Sequence, residues 1–224
     1  MNAGLPDPPV ALITGGRGAL AQAITAVLAA DGWQVDAPSK AALDVRDASS
    51  IAAWFVGRQR LDLLVNNAGL RRDAPFSKLT QTEWDDVMDS NLRGAWRCCR
   101  AALPVMRSQG GGHIVNISSY TALHGGRGQA AYGAAKAGLL GLTQSLAAEL
   151  GPARIRVNAV LPGWMRTPFN HDVADHVHEA VRRQHHLGNF NTPWHTARFI
   201  LALHGMEHTS GQIFQLDSRP GSWL

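Results

Sequence analysis

Apolar residues in this chain come in short runs that alternate with longer stretches of helical period. Residues 10–14 form one such run, which ends in Gly15-Gly16-Arg17-Gly18. An Ala-rich stretch then reaches about Ala30, so the opening reads strand, glycine turn, helix. The same pattern predicts strands over 33–37, 41–45 (very short), 61–65, 112–117, 155–160 and 212–216. Helices are predicted over 49–56, 82–106, 131–150 and 193–203, with Asp47 or Ser49 capping the first of these. Seven strands alternating with helices imply parallel pairing and right-handed crossovers, hence an α/β, Rossmann-like doubly wound sheet in a single domain spanning 1–224. Only the short stretch around 39–42 joins the second and third strands, too short for a helix between them. Ligands of such sheets bind beyond the C-terminal strand ends, where Gly15, Asn66, Ser119 and Pro162 fall.

Composition agrees with one globular domain: 224 residues, 45% apolar, 23 glycines. No apolar run approaches the ~20 residues that cross a bilayer. The N-terminus lacks the basic start and apolar stretch of a signal peptide. Cys98 and Cys99 are adjacent in a helical pattern, where neighbouring side chains diverge, so a disulfide is not expected. The resulting expectation is a soluble cytoplasmic protein. A formal charge of +4 is modest, with no basic stripe interleaved with aromatics, so no nucleic-acid partner is expected. A mildly basic cleft for a phosphate-bearing small molecule accounts for it equally well.

One pattern carries chemistry rather than packing. Tyr132 and Lys136 lie four apart in a predicted helix, so phenol and ammonium share a face, and Ser118-Ser119 lies just upstream. A free tyrosine, with pKa near ~10, is a poor acid or base at neutral pH. A fixed cation stabilises its phenolate, and a serine hydroxyl beside it could hold a carbonyl oxygen. By itself the pair would read as an ordinary amphipathic-helix pattern; the rest of the chain overturns that reading.

Thr14-Gly15, Asn66-Asn67-Ala68-Gly69, Asn91, Ser119, Tyr132, Lys136 and Pro162-Gly163, in this order, resemble the short-chain dehydrogenase/reductase family over roughly residues 9–217. The resemblance implies that Tyr132 is the general acid of reduction and the base of oxidation. Lys136 would lower its pKa and bind the nicotinamide ribose, Ser119 would orient substrate, and Asn91 would link the lysine to a water relay. Thr14, Gly15, Arg17, Gly18 and Leu20 would form the cofactor turn. Asn67, Ala68 and Gly69 would pass the adenosine ribose, Asp44 and Val45 would meet the adenine, and Pro162, Gly163 and Thr167 would meet the carboxamide. Two alanines, Ala19 and Ala21, stand where the family has its second and third glycines; Gly18 is one position early. At the end of the second strand, where a carboxylate selects NAD(H), stand Ser39 and Lys40. Together with Arg17 they favour NADP(H) over NAD(H). Asp36 is three residues too early for that role.

The stretch 165–192 is expected to form a lid over substrate. Its aromatics, with Trp164 and Trp194 flanking it, suit a flat ligand as well as lid packing. Its histidines, 171, 176, 178, 185 and 186, have no partners at metal-ligand spacing, so no metal is expected. The tail has Ser218-Arg219 in place of the family's Gly-Gly, and a homotetramer or homodimer is expected. The expected function is an NADP(H)-dependent oxidoreductase for a carbonyl or secondary alcohol. Alternatives are a pteridine or dihydrofolate-type reductase of the same family, and a non-catalytic dinucleotide sensor or scaffold.

Overall fold

The computed structural model describes residues 7–221. Its element order is β1 (Val10–Ile13), α1 (Ala19–Ala30), β2 (Gln34–Asp36), α2 (Ala48–Phe55), β3 (Leu63–Asn66), α3 (Gln81–Met88), α4 (Gly94–Ser108), β4 (Gly112–Ile117), α5 (Thr121–His124), α6 (Ala130–Leu150), β5 (Ile155–Leu161), α7 (Asp175–Arg183), α8 (Pro193–His204) and β6 (Ile213–Gln215). The strands form one parallel sheet in the order β2-β1-β3-β4-β5-β6. The chain leaves β1 for β2 on one side and returns for β3 on the other, so a crevice opens at the C-terminal ends of β1 and β3.

Both sheet faces are covered, which is why the strand sequences are continuous apolar runs rather than alternating ones. Ala11, Ile13, Val65 and Val115 pack with Ile24 and Leu28 of α1 and Ile200 of α8. Their neighbours Leu12, Leu64 and Ile114 point the other way, onto Cys98, Ala102 and Met106 of α4. Fully burying each Leu or Ile side chain contributes about 1.5–3 kcal/mol, so this two-sided core fixes the strand register.

The sheet has six strands, not seven. In 41–45 the local chemistry outcompetes a ladder: the Ala42 and Leu43 amides both donate to the Ser39 carbonyl, and the Asp44 amide donates to Ser50 Oγ. Leu43 and Val45 turn inward into the α4 side of the core. As expected, no helix lies between β2 and this turn. The sheet edge is closed differently. Arg58 lies 3.5 Å over the Trp54 ring and pairs with Asp36 of β2, tying the end of α2 to the edge strand. That pairing is the role of Asp36 for which the sequence offered no account. Trp33 is buried on the opposite face, edge-on to His204.

Asp47 caps α2, accepting from the Ser49 amide at 2.8 Å. The helix predicted over 82–106 is broken by one π-helical turn, Asp89–Arg93. Such turns insert one extra residue and often lie at functional sites. No helix among the described residues is long and apolar enough to cross a membrane.

Candidate active site

The crevice is built from backbone pins. Thr14, at the end of β1, is buried, and its hydroxyl accepts from the amides of Asn67 (3.0 Å) and Ala68 (2.9 Å). Asn67 Nδ2 returns a bond to the Thr14 carbonyl. The loop after β3 is thereby tied to the glycine turn. Asn91, presented by the π-helical turn, pins its far side: Oδ1 accepts from the Leu70 amide at 3.0 Å and Nδ2 donates to the Leu70 carbonyl at 2.7 Å. Gly69 passes between Asn91 and Lys136. A methyl group there would overlap Asn91 Oδ1 and come within 3.6 Å of Lys136 Nζ.

Below lies a buried amide chain that the sequence did not announce. Asn66 Nδ2 donates to Asn116 Oδ1, and Asn116 Nδ2 to Thr143 Oγ1, both at 2.9 Å. It joins β3, β4 and α6 directly beneath the reacting groups. An inward-facing Asn in each of two otherwise apolar strands was the signal that could have revealed it.

Ser119 and Tyr132 meet above this floor. Ser118 Oγ donates to the Lys136 carbonyl at 2.8 Å, and Lys136 Nζ donates to the Ile117 carbonyl at 2.7 Å. These two bonds lock α6 onto the end of β4. Ser119 Oγ accepts from the Thr121 amide at 3.2 Å, and Ser119 acts to lower the pKa of the neighbouring Tyr132 phenol. Lys136 Nζ lies 5.7 Å from the Tyr132 ring centre. Burial pushes the Tyr132 phenol up to about 12, with Asp73 adding to the rise and Ser119 and Arg71 opposing it. Burial likewise brings the Lys136 ammonium down to about 8. The lowered phenol expected from the sequence is therefore not found. The phenolate loses its hydration here, and the ammonium is engaged with a carbonyl. What results is a phenol that stays protonated at neutral pH and can therefore serve as a proton donor.

The residues expected from the sequence to hold a cofactor fall into two groups. Gly15 has φ 71°, a left-handed conformation that lets the chain turn out of β1. Gly16 fits tightly against the Ala37 carbonyl, where any side chain would clash. Gly18 has no residue but Gly15 and Asn67 within 4 Å of an added methyl, and it starts α1 with no side-chain cap. The first amides of α1, up to Leu20 and Ala21, therefore face the crevice as unclaimed donors, an arrangement suited to a pyrophosphate. Ala21 is fully buried, so its methyl fills core rather than crevice. Arg17 is exposed in the turn. Ser39 supports the next turn through its carbonyl, and Lys40, 68% exposed, sits 3.7 Å from Asp44. For the Asp44 carboxyl, burial is outweighed by Arg46 and Lys40, which hold it below the usual range. Val45 departs from the expected placement: its side chain is buried against Gly94 rather than lining the crevice.

At the other end, Gly163 takes φ 83° where a side chain would strike Asp217, and the Pro162 carbonyl accepts from Asn191 at 2.7 Å. The Thr167 amide donates to Asn170 Oδ1 and starts a single 3₁₀ turn, Pro168–Asn170. Phe169 in that turn lies 6.3 Å from the Tyr132 ring. Trp164 Nε1 donates to His178 Nδ1 at 3.0 Å, so α7 packs back on the strand end. No cluster of three metal-ligating side chains occurs among the described residues.

This crevice, floor and Ser-Tyr-Lys grouping coincide with a match along the sequence. The profile of a family described as enoyl-(acyl carrier protein) reductase matches residues 11–218. The chain is a member of the short-chain dehydrogenase/reductase family. Within that family it is 38% identical over 217 residues to the acetoacetyl-CoA reductase of Rhizobium meliloti, covering 87% of this chain and 90% of the relative. It is 39% identical over 160 residues to the 3-oxoacyl-[acyl-carrier-protein] reductase of Thermotoga maritima, which covers 70% of this chain. The chain spans 65% of the length of that reductase. The corresponding reductase of Aquifex aeolicus is 39% identical over 143 residues, 64% of this chain and 58% of the relative. Arg71, Asp73, Tyr120 and Arg219, which surround the site, were not predicted from the motifs, because they lie in loops whose contacts only the fold brings together.

Proposed function

We propose that this oxidoreductase is a ketoreductase that uses NADP(H) to convert the 3-oxo group of an acyl thioester, or a closely related ketone, to a secondary alcohol. The observation that carries the reading is the partly buried Tyr132 phenol, whose pKa Ser119 acts on and whose ring centre lies 5.7 Å from Lys136 Nζ. The named relatives act on 3-oxoacyl and acetoacetyl thioesters, which supports this substrate class over a pterin. The unclaimed donors at the start of α1, with Arg17 and Lys40 nearby, favour the phosphorylated dinucleotide. The Lys40–Asp44 pair is exposed and weak, so a phosphate dianion competes for Lys40 at little cost.

When bound, the reduced nicotinamide supplies the hydride. Ser119 holds the carbonyl oxygen, and Tyr132 delivers its proton as negative charge grows there. An alkoxide is a far stronger base than a phenolate, so transfer from Tyr132 runs downhill even with its raised pKa. Lys136 holds positive charge beside the phenolate that is left, and the Asn91 pin keeps the loop through Gly69 against it.

The test is NADPH oxidation with acetoacetyl-CoA, compared with NADH. Turnover with NADPH at an efficiency about tenfold or more above NADH is expected. Equal efficiency would refute the cofactor choice. Tight NADPH binding with no thioester or ketone reduced would refute the reaction and leave a dinucleotide sensor. In this reading residues 165–192 form the lid of one domain, and association into dimers or tetramers is measurable by light scattering.

A further inference from the structure

Arg71 follows the Asn66-Asn67-Ala68-Gly69 loop and is almost enclosed, its side chain 13% exposed. All three guanidinium nitrogens are engaged. Nη1 donates to Asp73 Oδ2 at 2.5 Å, and Asp73 also accepts from Gln129 at 3.2 Å. Gln129 is bonded to Thr121 at 3.1 Å, and the Ala74 amide is bonded to the Gly128 carbonyl at 2.9 Å. This side of the guanidinium therefore belongs to the fixed wall of the cleft.

The other edge of the fork faces the lid. Nε donates to the Phe169 carbonyl at 3.1 Å, and Nη2 pairs with the Asp172 carboxylate. Nε and Nη2 form the edge that matches a carboxylate bidentately. Here one lid carbonyl and one lid carboxylate share it. Asp172 is 61% exposed, so the lid's hold on Arg71 is an exposed pair that exchanges readily. Phe169 touches both groups that matter, lying 5.8 Å from the guanidinium and 6.3 Å from the Tyr132 ring. Arg71 also acts electrostatically on the Tyr132 phenol.

When residues 169–172 move aside to admit substrate, Asp73 keeps the guanidinium oriented while its Nε/Nη2 edge is emptied beside the reacting carbonyl. We propose that this edge is a substrate-recognition subsite for a carboxylate carried on the same molecule as the ketone, and that Asp172 fills it in the empty enzyme. The inference rests on the proposed ketoreductase reading and, because a 3-oxoacyl thioester carries no free carboxylate, selects keto acids from among the related ketones of that reading. It also gives the lid a trigger, since the arriving carboxylate displaces Asp172.

The test compares acetoacetate, 4-oxopentanoate and 5-oxohexanoate with their methyl esters, in NADPH-dependent reduction by the wild-type chain, R71M and D172N. The series varies the distance from ketone to carboxylate. At least one acid should exceed its ester in kcat/KM by about tenfold or more. R71M should bring that ratio to about one, and D172N should raise it by lowering KM for the acid, because the lid no longer competes. The opposite directions separate recognition from damage to the fold. Esters equal to or better than every acid, or a preference that survives R71M, would overturn the subsite. Calorimetric titration of the same pairs into the Y132F protein loaded with NADP keeps the question open to measurement without turnover. Carboxylate preference in binding with no reduction would sink the ketoreductase reading alone; reduction without that preference would sink the subsite alone.

Discussion

The floor of the crevice and the proposed lid, residues 165–192, are held by different kinds of interaction. On the floor, Asn66, Asn116, Lys136 and Ser118 are buried and joined by short bonds to the backbone or to one another. Losing one partner there strands a buried polar group. In the lid, Asp172, Asp175 and Phe169 are exposed, and their contacts are ion pairs and ring edges at the surface. Deeper contacts hold other parts of the lid: His178 is buried and bonded to Trp164, and the side chains of His185 and Asp217 are buried beside Arg219, which lies 3.6 Å over the Tyr120 ring. The difference assigns tasks. Proton transfer needs geometry that does not drift, whereas admission of substrate needs a segment whose contacts break cheaply.

The largest test of the floor is Tyr132→Phe, which keeps the ring and removes the proton. Turnover should fall by about 10²- to 10⁴-fold, with NADPH affinity retained. Steady-state kinetics and a cofactor titration check both. Lys136 gives a smaller and more diagnostic effect. Its ammonium, brought down to about 8 by burial, is charged below that pH and neutral above it. kcat/KM for reduction should therefore decline as pH rises through about 8. Lys136→Arg keeps its charge at higher pH and should abolish that decline, whatever it does to the absolute rate. A wild-type profile flat to pH 10 would show that the charge on Lys136 is not needed.

Much of this was legible in the sequence, and the exceptions have physical reasons. The span of β4, Gly112–Ile117, is the one its apolar run indicates, because both its faces are buried and no side chain captures its amides. The run at 41–45 has similar apolarity, but Ser39 and Ser50 capture its amides, and hydropathy does not register such capture. Ser119, Tyr132 and Lys136 converge as their spacing requires. The raised Tyr132 phenol was not legible, because it depends on burial by neighbours that only the fold brings around it. Arg71 and Asp172, 101 positions apart, were invisible for the same reason.

The interior can also be probed away from the chemistry. His113, at the start of β4, is fully buried, with Nε2 3.1 Å from Asn158 Nδ2 and Nδ1 unpartnered. Burial, with Arg156 and His204 adding to it, holds its pKa well below the ordinary value. The unfolded chain takes up a proton near ~6.5 that the folded chain refuses, so stability present above that pH is lost as pH falls through it. The loss is up to about 1.4 kcal/mol per pH unit for one such histidine. His113→Leu should flatten the fall in melting temperature between pH 7 and 5. An unchanged slope would show that other groups, His204 first among them, set it.

The smallest effect belongs to the lid. Arg166 and Asp175 are 2.8 Å apart, but their side chains are 58% and 96% exposed, so water and salt compete fully for both charges. Asp175→Asn should move the melting temperature by less than about 2 °C. Hydrogen exchange in residues 168–183 should nonetheless quicken, because that segment opens without unfolding the sheet and each lost contact lowers the cost of opening. The two readouts must diverge if floor and lid are energetically separate. A melting shift as large as a core substitution produces would mean that the lid folds as one cooperative unit with the floor, and substrate would then have to enter without displacing it.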